Sequence, residues 1–149
     1  MLVNTRALRI EWGQCDPFGI VYYPRYFEVF DACTTALFER GLGLTKFQFT
    51  AKYEVLGYAM VETRARFLKP TRYGDDVTID TTVTKFHRSS FDVSHRLFKD
   101  GALAVEGFET RVWVGRDPAD AKGIRAKPIP AEVTARLGYP LPRGKRVFP

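Results

Sequence analysis

The feature that most constrains this chain is one long amphipathic segment, residues 23–40, followed by strand-like segments with no room for helices between them. Apolar and aromatic side chains recur in it every three to four residues, which is typical of a helix with one buried face. Pro24 suits a first helical position, and Gly41 and Gly43 supply a stop signal. We predict a helix of about four to five turns, long enough for a sheet to wrap around it.

Alternating apolar and polar residues predict strands on both sides of this helix. The predicted strands are residues 4–12, 58–69, 77–86, 91–99 and 102–114. Asp100-Gly101 is a two-residue hairpin signal, and the other connections after residue 69 are also short. The order predicts an α+β fold with a mostly antiparallel sheet of five strands, and it argues against a doubly wound parallel sheet.

The chain has the size of one domain, with 149 residues and a hydrophobic content of 45%. We interpret residues 1–149 as a single domain, with a core over residues 1–115 and a C-terminal extension over 116–149. In this extension, which is rich in Pro, Lys and Arg, residues 131–137 are predicted to form a short helix and the tail from Gly138 to be irregular or mobile. Residues 44–53 are predicted to be a second short helix or an aromatic flap over the first.

Composition excludes several classes of protein. No segment approaches the ~20 apolar residues of a membrane span, and the N-terminus does not resemble a signal peptide, so a cytoplasmic location is expected. Cys15 and Cys33 match no metal-ligand spacing, and a disulfide between them is not expected.

The net charge of +6 fits a polyanionic partner or a phosphate-bearing substrate, although the same charge could simply keep the protein in solution. Outside the tail, the basic residues are scattered along the chain. The absence of a clustered basic helix or of an RNA-type aromatic strand motif argues against nucleic-acid binding.

Asp16 is the main candidate for chemistry. It lies in a loop rich in Gly and Pro, residues 13–21, just ahead of the predicted helix. Aspartate before proline is commonly only a turn former or a cap. However, a helix start exposes unpaired N–H groups and about half a positive charge. Together, the carboxylate and the helix start could flank a reacting carbonyl group.

The sequence from Asp16 to Phe27, DPFGIVYYPRYF, resembles the signature of the 4-hydroxybenzoyl-CoA thioesterase family of the hotdog superfamily. The resemblance is to the branch whose catalytic carboxylate is an Asp in a D-P-x-G-I-V-x-Y-P loop, and it extends more loosely over residues 57–114. It implies a hotdog fold, in which an antiparallel sheet wraps a long helix, and a homodimer or homotetramer with active sites at the dimer interface. It also implies hydrolysis of an acyl-CoA thioester without a cofactor.

The resemblance assigns roles to individual positions of this chain. Asp16 would be the nucleophile or the general base, and both remain open. The backbone N–H of Tyr23, where related branches have a His, would donate a hydrogen bond to the thioester oxygen. The substrate-binding positions would be Gly19, Tyr22, Phe27, Asp31, Arg88, Ser89 and Ser90.

Two of the substrate-binding expectations have alternatives. Arg88 would clamp a CoA phosphate, or it is only a solvated turn residue. Asp31 would contact a polar group of the substrate, or it lies in water at the edge of the helix stripe. His95 is interpreted as a packed core or edge residue of a strand. A dehydratase of the same fold would pair a His with an acid at the helix, and neither His95 nor His87 is close in sequence to Asp16, which counts against that function.

The leading hypothesis is an acyl-CoA thioesterase acting on an aromatic acyl group, because aromatic residues surround the motif. A short or medium aliphatic acyl group is the first alternative. The second alternative is a non-catalytic module that keeps the fold and binds acyl-CoA.

Overall fold

The computed structural model describes residues 1–138, and the elements follow the predicted order with two additions. The strands are β1 (Asn4–Arg9), β2 (Gly57–Phe67), β3 (Asp76–Phe86), β4 (Ser90–Lys99), β5 (Ala102–Asp117) and β6 (Asp120–Ala126). The helices are α1 (Pro24–Leu42), α2 (Lys46–Lys52) and α3 (Ala131–Arg136), and a 3-10 turn covers Trp12–Gln14. The prediction for the tail falls almost entirely on residues 139–149, which lie outside the described part.

The strands form one antiparallel sheet in the order β1-β3-β4-β5-β2, and β6 pairs with the end of β5. Helix α1 packs across one face of this sheet, so the α+β architecture expected of a hotdog fold is confirmed. The sixth strand was not predicted. Its one large apolar side chain, Ile124, is 56% exposed, so β6 carries no alternating pattern and is held by backbone pairing to β5.

The buried face of α1 fixes how closely helix and sheet approach. Phe30, Cys33, Leu37 and Phe38 are fully buried on it. The Phe30 ring lies directly on β5 at Gly107, where an added β-carbon would be 2.5 Å from the ring. Any larger residue at this position would push the helix away from the sheet.

The segment after α1 is a helix and not only a flap. Gly43, with a φ of 66°, ends α1, and Thr45 caps α2 by accepting a hydrogen bond from the Gln48 N–H. Phe49 of α2 is fully buried in the aromatic cluster around Trp113. Within residues 1–138, no helix has the length and apolar character that crossing a bilayer requires.

Strand β2 forms one border of the sheet. It runs antiparallel to β5, from the pair Gly57–Val114 to the pair Phe67–Val105. Most of its side chains are exposed, including the large apolar residues Met60, Val61 and Phe67. A long border strand with exposed apolar residues offers unpaired backbone groups to another chain.

Candidate functional site

A tight turn centred on Pro17 and Phe18 carries the candidate carboxylate of Asp16. The Gly19 N–H donates to the Asp16 carbonyl oxygen at 2.9 Å, and Gly19 has a φ of 77°, which favours glycine. The Phe18 N–H donates to Asp16 Oδ1, also at 2.9 Å. Asp16 therefore does form the turn, but with one carboxylate oxygen only. Within residues 1–138, Oδ2 receives no hydrogen bond.

Hydrogen bonds on both sides fix this loop in place. The Tyr22 N–H donates to the Gln14 carbonyl oxygen and the Val21 N–H to the Thr71 carbonyl oxygen, both at 2.9 Å. The hydroxyl groups of Tyr26 and Thr71 are 2.6 Å apart in the interior. The loop is therefore anchored to α1 and to the segment after β2, and Asp16 has a defined position relative to the helix start.

The start of α1 presents a backbone donor that has no partner among the described residues. Pro24 has no N–H, and the Arg25 N–H donates to the Tyr22 carbonyl oxygen at 2.8 Å. The Tyr26 N–H donates to the Tyr23 carbonyl oxygen at 3.2 Å. In the described part of the chain, the N–H of Tyr23 donates no hydrogen bond, so it is available to an acceptor at the positive end of the helix.

An apolar groove of about 270 Å³ lies beside this donor. Its lining residues are Ile20, Val21, Tyr23, Tyr26, Phe67, Leu68, Lys69 and Pro70. The Phe67 ring from β2 contacts Tyr23 and Tyr26, with centroid distances of 6.2 and 5.6 Å. Asp16 does not line the groove, but its N–H donates to the carbonyl oxygen of Ile20, which does.

Two further predicted residues flank this region. The Tyr22 ring is exposed and contacts the Tyr23 ring at a centroid distance of 5.6 Å. Phe27 is half-buried one turn along α1. Aromatic surface therefore surrounds the helix start.

Residues 88–90, predicted to bind the CoA phosphates, lie at the opposite end of the sheet. The Trp113 N–H donates to the Ser89 carbonyl oxygen at 2.8 Å, and Trp113 pairs with Tyr58 at the beginning of β2. Phe67, beside the helix start, is at the end of the same strand. Nine residues of extended strand span about 30 Å. One copy of the chain therefore does not bring these residues together with Asp16.

A basic groove surrounds Arg88 at that end. It has a volume of about 590 Å³ and includes Arg125 and Lys127. Lys127 donates to the Glu54 carbonyl oxygen at 2.9 Å, whereas Arg88 and Arg125 are exposed and form no ion pair with any described residue. Sequence reasoning missed Arg125 and Lys127 because β6 was not predicted. The only signal was the basic composition after Gly115.

A buried ionic network lies under the middle of α1, and sequence reasoning missed it as a network. Arg111 donates to Glu109 twice, from Nε at 2.8 Å and from Nη2 at 3.1 Å. Glu109 also accepts from the Thr34 hydroxyl at 2.8 Å and lies 3.2 Å from His95 Nε2. Burial would raise the pKa of Glu109, but hydrogen bonds from His95 and Arg111 outweigh it and lower the pKa to about 2. The sequence signal that could have revealed this network was the presence of two charged residues at positions of β5 whose side chains face inward.

Asp31 connects this network to the surface. Its Oδ1 accepts from Arg111 Nη2 at 2.7 Å, while its side chain is 60% exposed and that of Arg111 only 4%. Asp31 therefore does lie at the edge of the helix stripe, as one of the two interpretations had it, but it is held by a buried cation. His95 is fully buried, as its position on a strand predicted.

Within residues 1–138, no group of three or more His, Cys, Asp or Glu side chains is arranged to hold a metal ion. His87 is exposed and lies 3.3 Å from Asp92.

Comparison with known proteins identifies similar chains. The family model of the thioesterase-like superfamily matches residues 10–137. The chain is 31% identical, over 134 residues, to the 4-hydroxybenzoyl-CoA thioesterase of Pseudomonas sp. strain CBS-3. The aligned region covers 86% of this chain and 92% of the relative.

Solved structures are also similar. A crystal structure of an aspartate-to-asparagine mutant of 4-hydroxybenzoyl CoA thioesterase, complexed with 4-hydroxybenzoyl CoA, matches with a TM-score of 0.82 and 30% identity over 91% of this chain and 98% of that chain. The structure of a gentisyl-coenzyme A thioesterase matches with a TM-score of 0.74 and 27% identity, over 88% of this chain and 99% of that chain.

Proposed function

The chain belongs to the thioesterase-like superfamily and is an acyl-CoA thioesterase, and we propose that its substrate is an aromatic acyl-CoA such as 4-hydroxybenzoyl-CoA. The observation that carries this proposal is the N–H of Tyr23 at the start of α1, which has no partner within residues 1–138 and lies beside an apolar groove and the anchored Asp16 turn. The aromatic walls of the groove suit a flat acyl group.

The helix start would stabilise the charge that develops on the thioester oxygen. In this mechanism, the Tyr23 N–H donates to the carbonyl oxygen, and the positive end of α1 favours the oxyanion as it forms. One such donor lowers the barrier by about 3 kcal/mol. Because the donor is a backbone group, the identity of the side chain at this position matters little.

Asp16 would supply the attacking group through Oδ2, since Oδ1 holds the turn. As nucleophile, it attacks the thioester carbonyl, expels the CoA thiolate and forms a mixed anhydride that water cleaves. As general base, it takes a proton from the water that attacks the carbonyl. Both routes require the same carboxylate and no metal or cofactor.

We further propose that the complete site forms between two copies of the chain, in a homodimer or a homotetramer. The helix start and residues 88–90 are near opposite ends of β2. If two β2 strands pair antiparallel along their free borders, the helix start of one copy comes to lie on the side where its partner carries Arg88. The exposed Met60 and Val61 would then be covered.

The basic groove around Arg88 would hold the phosphates of CoA. Arg88 and Arg125 are exposed and without ion pairs among the described residues, so their guanidinium groups can bind phosphate oxygens in a bidentate manner. Ser89 and Ser90 are half-buried in the same connection and can add hydrogen bonds. Gly19 and Phe27 would be near the acyl end.

A thiol-release assay over aromatic and aliphatic acyl-CoAs tests the proposal. We expect the highest kcat/KM for hydroxylated aromatic acyl groups. A preference for short or medium aliphatic chains would replace the aromatic proposal. CoA binding without thiol release from any substrate would instead indicate a non-catalytic binding module.

The role of Asp16 is tested with Asp16→Asn, which should lower kcat by about 10³-fold or more while the variant still folds and binds substrate. A relative solved with bound substrate also carries asparagine in place of an aspartate, which supports the choice of this variant. The matched control is Asp117→Asn, because Asp117 Oδ1 accepts from the Ala119 N–H at 2.9 Å in an equivalent turn. Wild-type turnover by Asp16→Asn would remove Asp16 from the mechanism.

A further inference from the structure

A buried hydrogen bond between Tyr26 and Thr71 joins the first turn of α1 to the segment after β2. The two hydroxyl oxygens are 2.6 Å apart, Tyr26 is only 5% exposed, and Thr71 is fully buried. Burial raises the pKa of Tyr26, so its hydroxyl group keeps its proton near neutral pH. Separating the two residues would leave both hydroxyl groups away from water without a partner, so the bond restricts how helix and segment can move.

The Thr71 end of this contact leads to the Asp16 turn through the backbone. The Val21 N–H donates to the Thr71 carbonyl oxygen at 2.9 Å. The neighbouring pair, Ile20 with Arg72, is an antiparallel bridge. The Ile20 carbonyl oxygen then accepts from the Asp16 N–H at 2.9 Å. A displacement of Thr71 would therefore be passed to Asp16 through consecutive backbone pairs.

The segment that carries Thr71 is itself fixed to the sheet. The Gly74 N–H donates to the Ile10 carbonyl oxygen, and the Ile10 N–H donates to the Asp75 carbonyl oxygen, both at 2.9 Å. The Asp75 carboxylate forms an ion pair of 2.8 Å with Lys99 at the end of β4. The segment is therefore a rigid support to which the Tyr26 hydroxyl bonds from the helix side.

The Tyr26 end of the contact leads to the backbone donor at the helix start. Tyr26 is three residues after Tyr23, and its N–H donates to the Tyr23 carbonyl oxygen at 3.2 Å. Residues three apart on a helix are neighbours on its surface, and both tyrosines line the apolar groove. The hydroxyl contact therefore joins the element that carries the Tyr23 N–H to the segment that holds the Asp16 turn.

We propose that Tyr26 and Thr71 are positioning residues, which together set the distance between the Asp16 carboxylate and the Tyr23 N–H. This inference rests on the proposed thioesterase function and deepens it. Both hydroxyl groups are buried, so they act through the backbone and not by contact with the thioester. The reacting carbonyl group has to meet the carboxylate and the donor at once, and a misplacement of about 1 Å can cost about 10²-fold in rate.

The first test is Thr71→Val, which keeps the shape of the side chain and removes its hydroxyl group. We expect kcat for 4-hydroxybenzoyl-CoA to fall about 10- to 100-fold with KM nearly unchanged, because the groove is kept and only the alignment is lost. Tyr26→Phe keeps the ring that lines the groove and should give the same split. Thr71→Ser keeps a hydroxyl group and should retain most of kcat.

The double variant Tyr26→Phe/Thr71→Val separates positioning from a merely structural role. Each single variant leaves one buried hydroxyl group unpaired, whereas the double variant leaves none, so the urea midpoint of unfolding should return toward that of the wild type. The kcat should stay as low as in the single variants, because the same contact is missing in all three. Recovery of kcat together with stability would overturn the proposal. The double variant also keeps the test decisive if a single variant fails to fold.

The matched control is Thr35→Val. The Thr35 hydroxyl lies 2.9 Å from the Tyr58 hydroxyl, so this variant also removes a Thr–Tyr hydrogen bond between α1 and the sheet. It should lower the urea midpoint and leave kcat nearly unchanged, because the contact does not lead to the Asp16 turn. A fall in kcat equal to that of Thr71→Val would overturn the proposal.

The wild-type protein separates this proposal from the proposed function. A wild type that hydrolyses acyl-CoA, with Thr71→Val and Tyr26→Phe equally active, would overturn the positioning role and leave the thioesterase proposal standing. A wild type that releases thiol from no acyl-CoA of the panel would overturn both.

Discussion

The loop before α1 and the network under its middle both place carboxylates beside the same helix, but they differ in how many of their polar groups are satisfied. Within residues 1–138, Asp16 Oδ2 and the Tyr23 N–H have no partner, and both residues are accessible to solvent. Glu109, in contrast, is buried and bonded to three neighbours. Satisfied, desolvated charges specify one structure, whereas unpaired groups at the surface remain available for a substrate.

Glu109→Gln should have the largest effect, and it falls on stability. Removing the charge leaves the buried Arg111 guanidinium group without its buried counterion, and breaking a buried pair in this way costs about 3–5 kcal/mol of unfolding free energy. Urea denaturation at pH 7 measures this. A loss below about 1 kcal/mol would show that the network contributes far less than its burial indicates.

Tyr23→Pro should have the next largest effect, and it falls on catalysis. Tyr23 has a φ of −52°, which proline accepts, and its N–H makes no hydrogen bond within residues 1–138, so the fold should tolerate the change. Loss of the donor should lower kcat about 10²- to 10³-fold. The control Tyr23→Ala, which keeps the N–H, should retain most of kcat. Equal losses in both variants would place the role in the ring instead.

Acid should weaken the network by a smaller amount. The native pKa of Glu109 is about 2, below its ordinary value of 4.5, so its contribution to stability is complete above the ordinary value and is lost as the pH falls toward 2. Between pH 7 and pH 3, this carboxylate should account for a loss of about 2 kcal/mol. The difference in unfolding free energy between wild type and Glu109→Gln should shrink accordingly, and a constant difference would contradict the lowered pKa.

Gly19→Ala should have the smallest effect on stability. The φ of 77° at this position strains any residue with a side chain, although no atom lies within 4 Å of the added β-carbon. We expect a loss of about 1 kcal/mol and, because the turn carries Asp16, a fall in kcat with KM nearly unchanged. Gly74→Ala, with a φ of 84° and equally open space, is the control that should cost similar stability but leave kcat intact.

The sequence predicted the elements whose hydrophobic pattern is strong. Helix α1 and the five main strands follow from the periodicity of residues that pack in the core. The Asp16 turn was also recognisable, because aspartate, proline and glycine occupy positions that favour them in a tight turn. Strand β6 was not predictable, because it is held by backbone pairing and has no hydrophobic pattern in its sequence.

The parts of the site that depend on three dimensions were not predictable. Glu109 and Arg111 occupy inward positions of β5, where a charged residue is normally excluded, and only their mutual pairing explains them. The resemblance placed Arg88 and Asp16 in one site, while the fold separates them along the whole of β2. One sequence does not show which contacts a second copy completes.

The distance between the helix start and Arg88 has a consequence for mixtures of two variants. If each site takes Asp16 from one subunit and Arg88 from the other, two inactive variants, Asp16→Asn and Arg88→Ala, should complement each other when mixed and allowed to exchange subunits. Random exchange makes half of the dimers heterodimers, each with one intact site, so about a quarter of the wild-type rate should return. No recovery on mixing would mean that each protomer catalyses the reaction by itself.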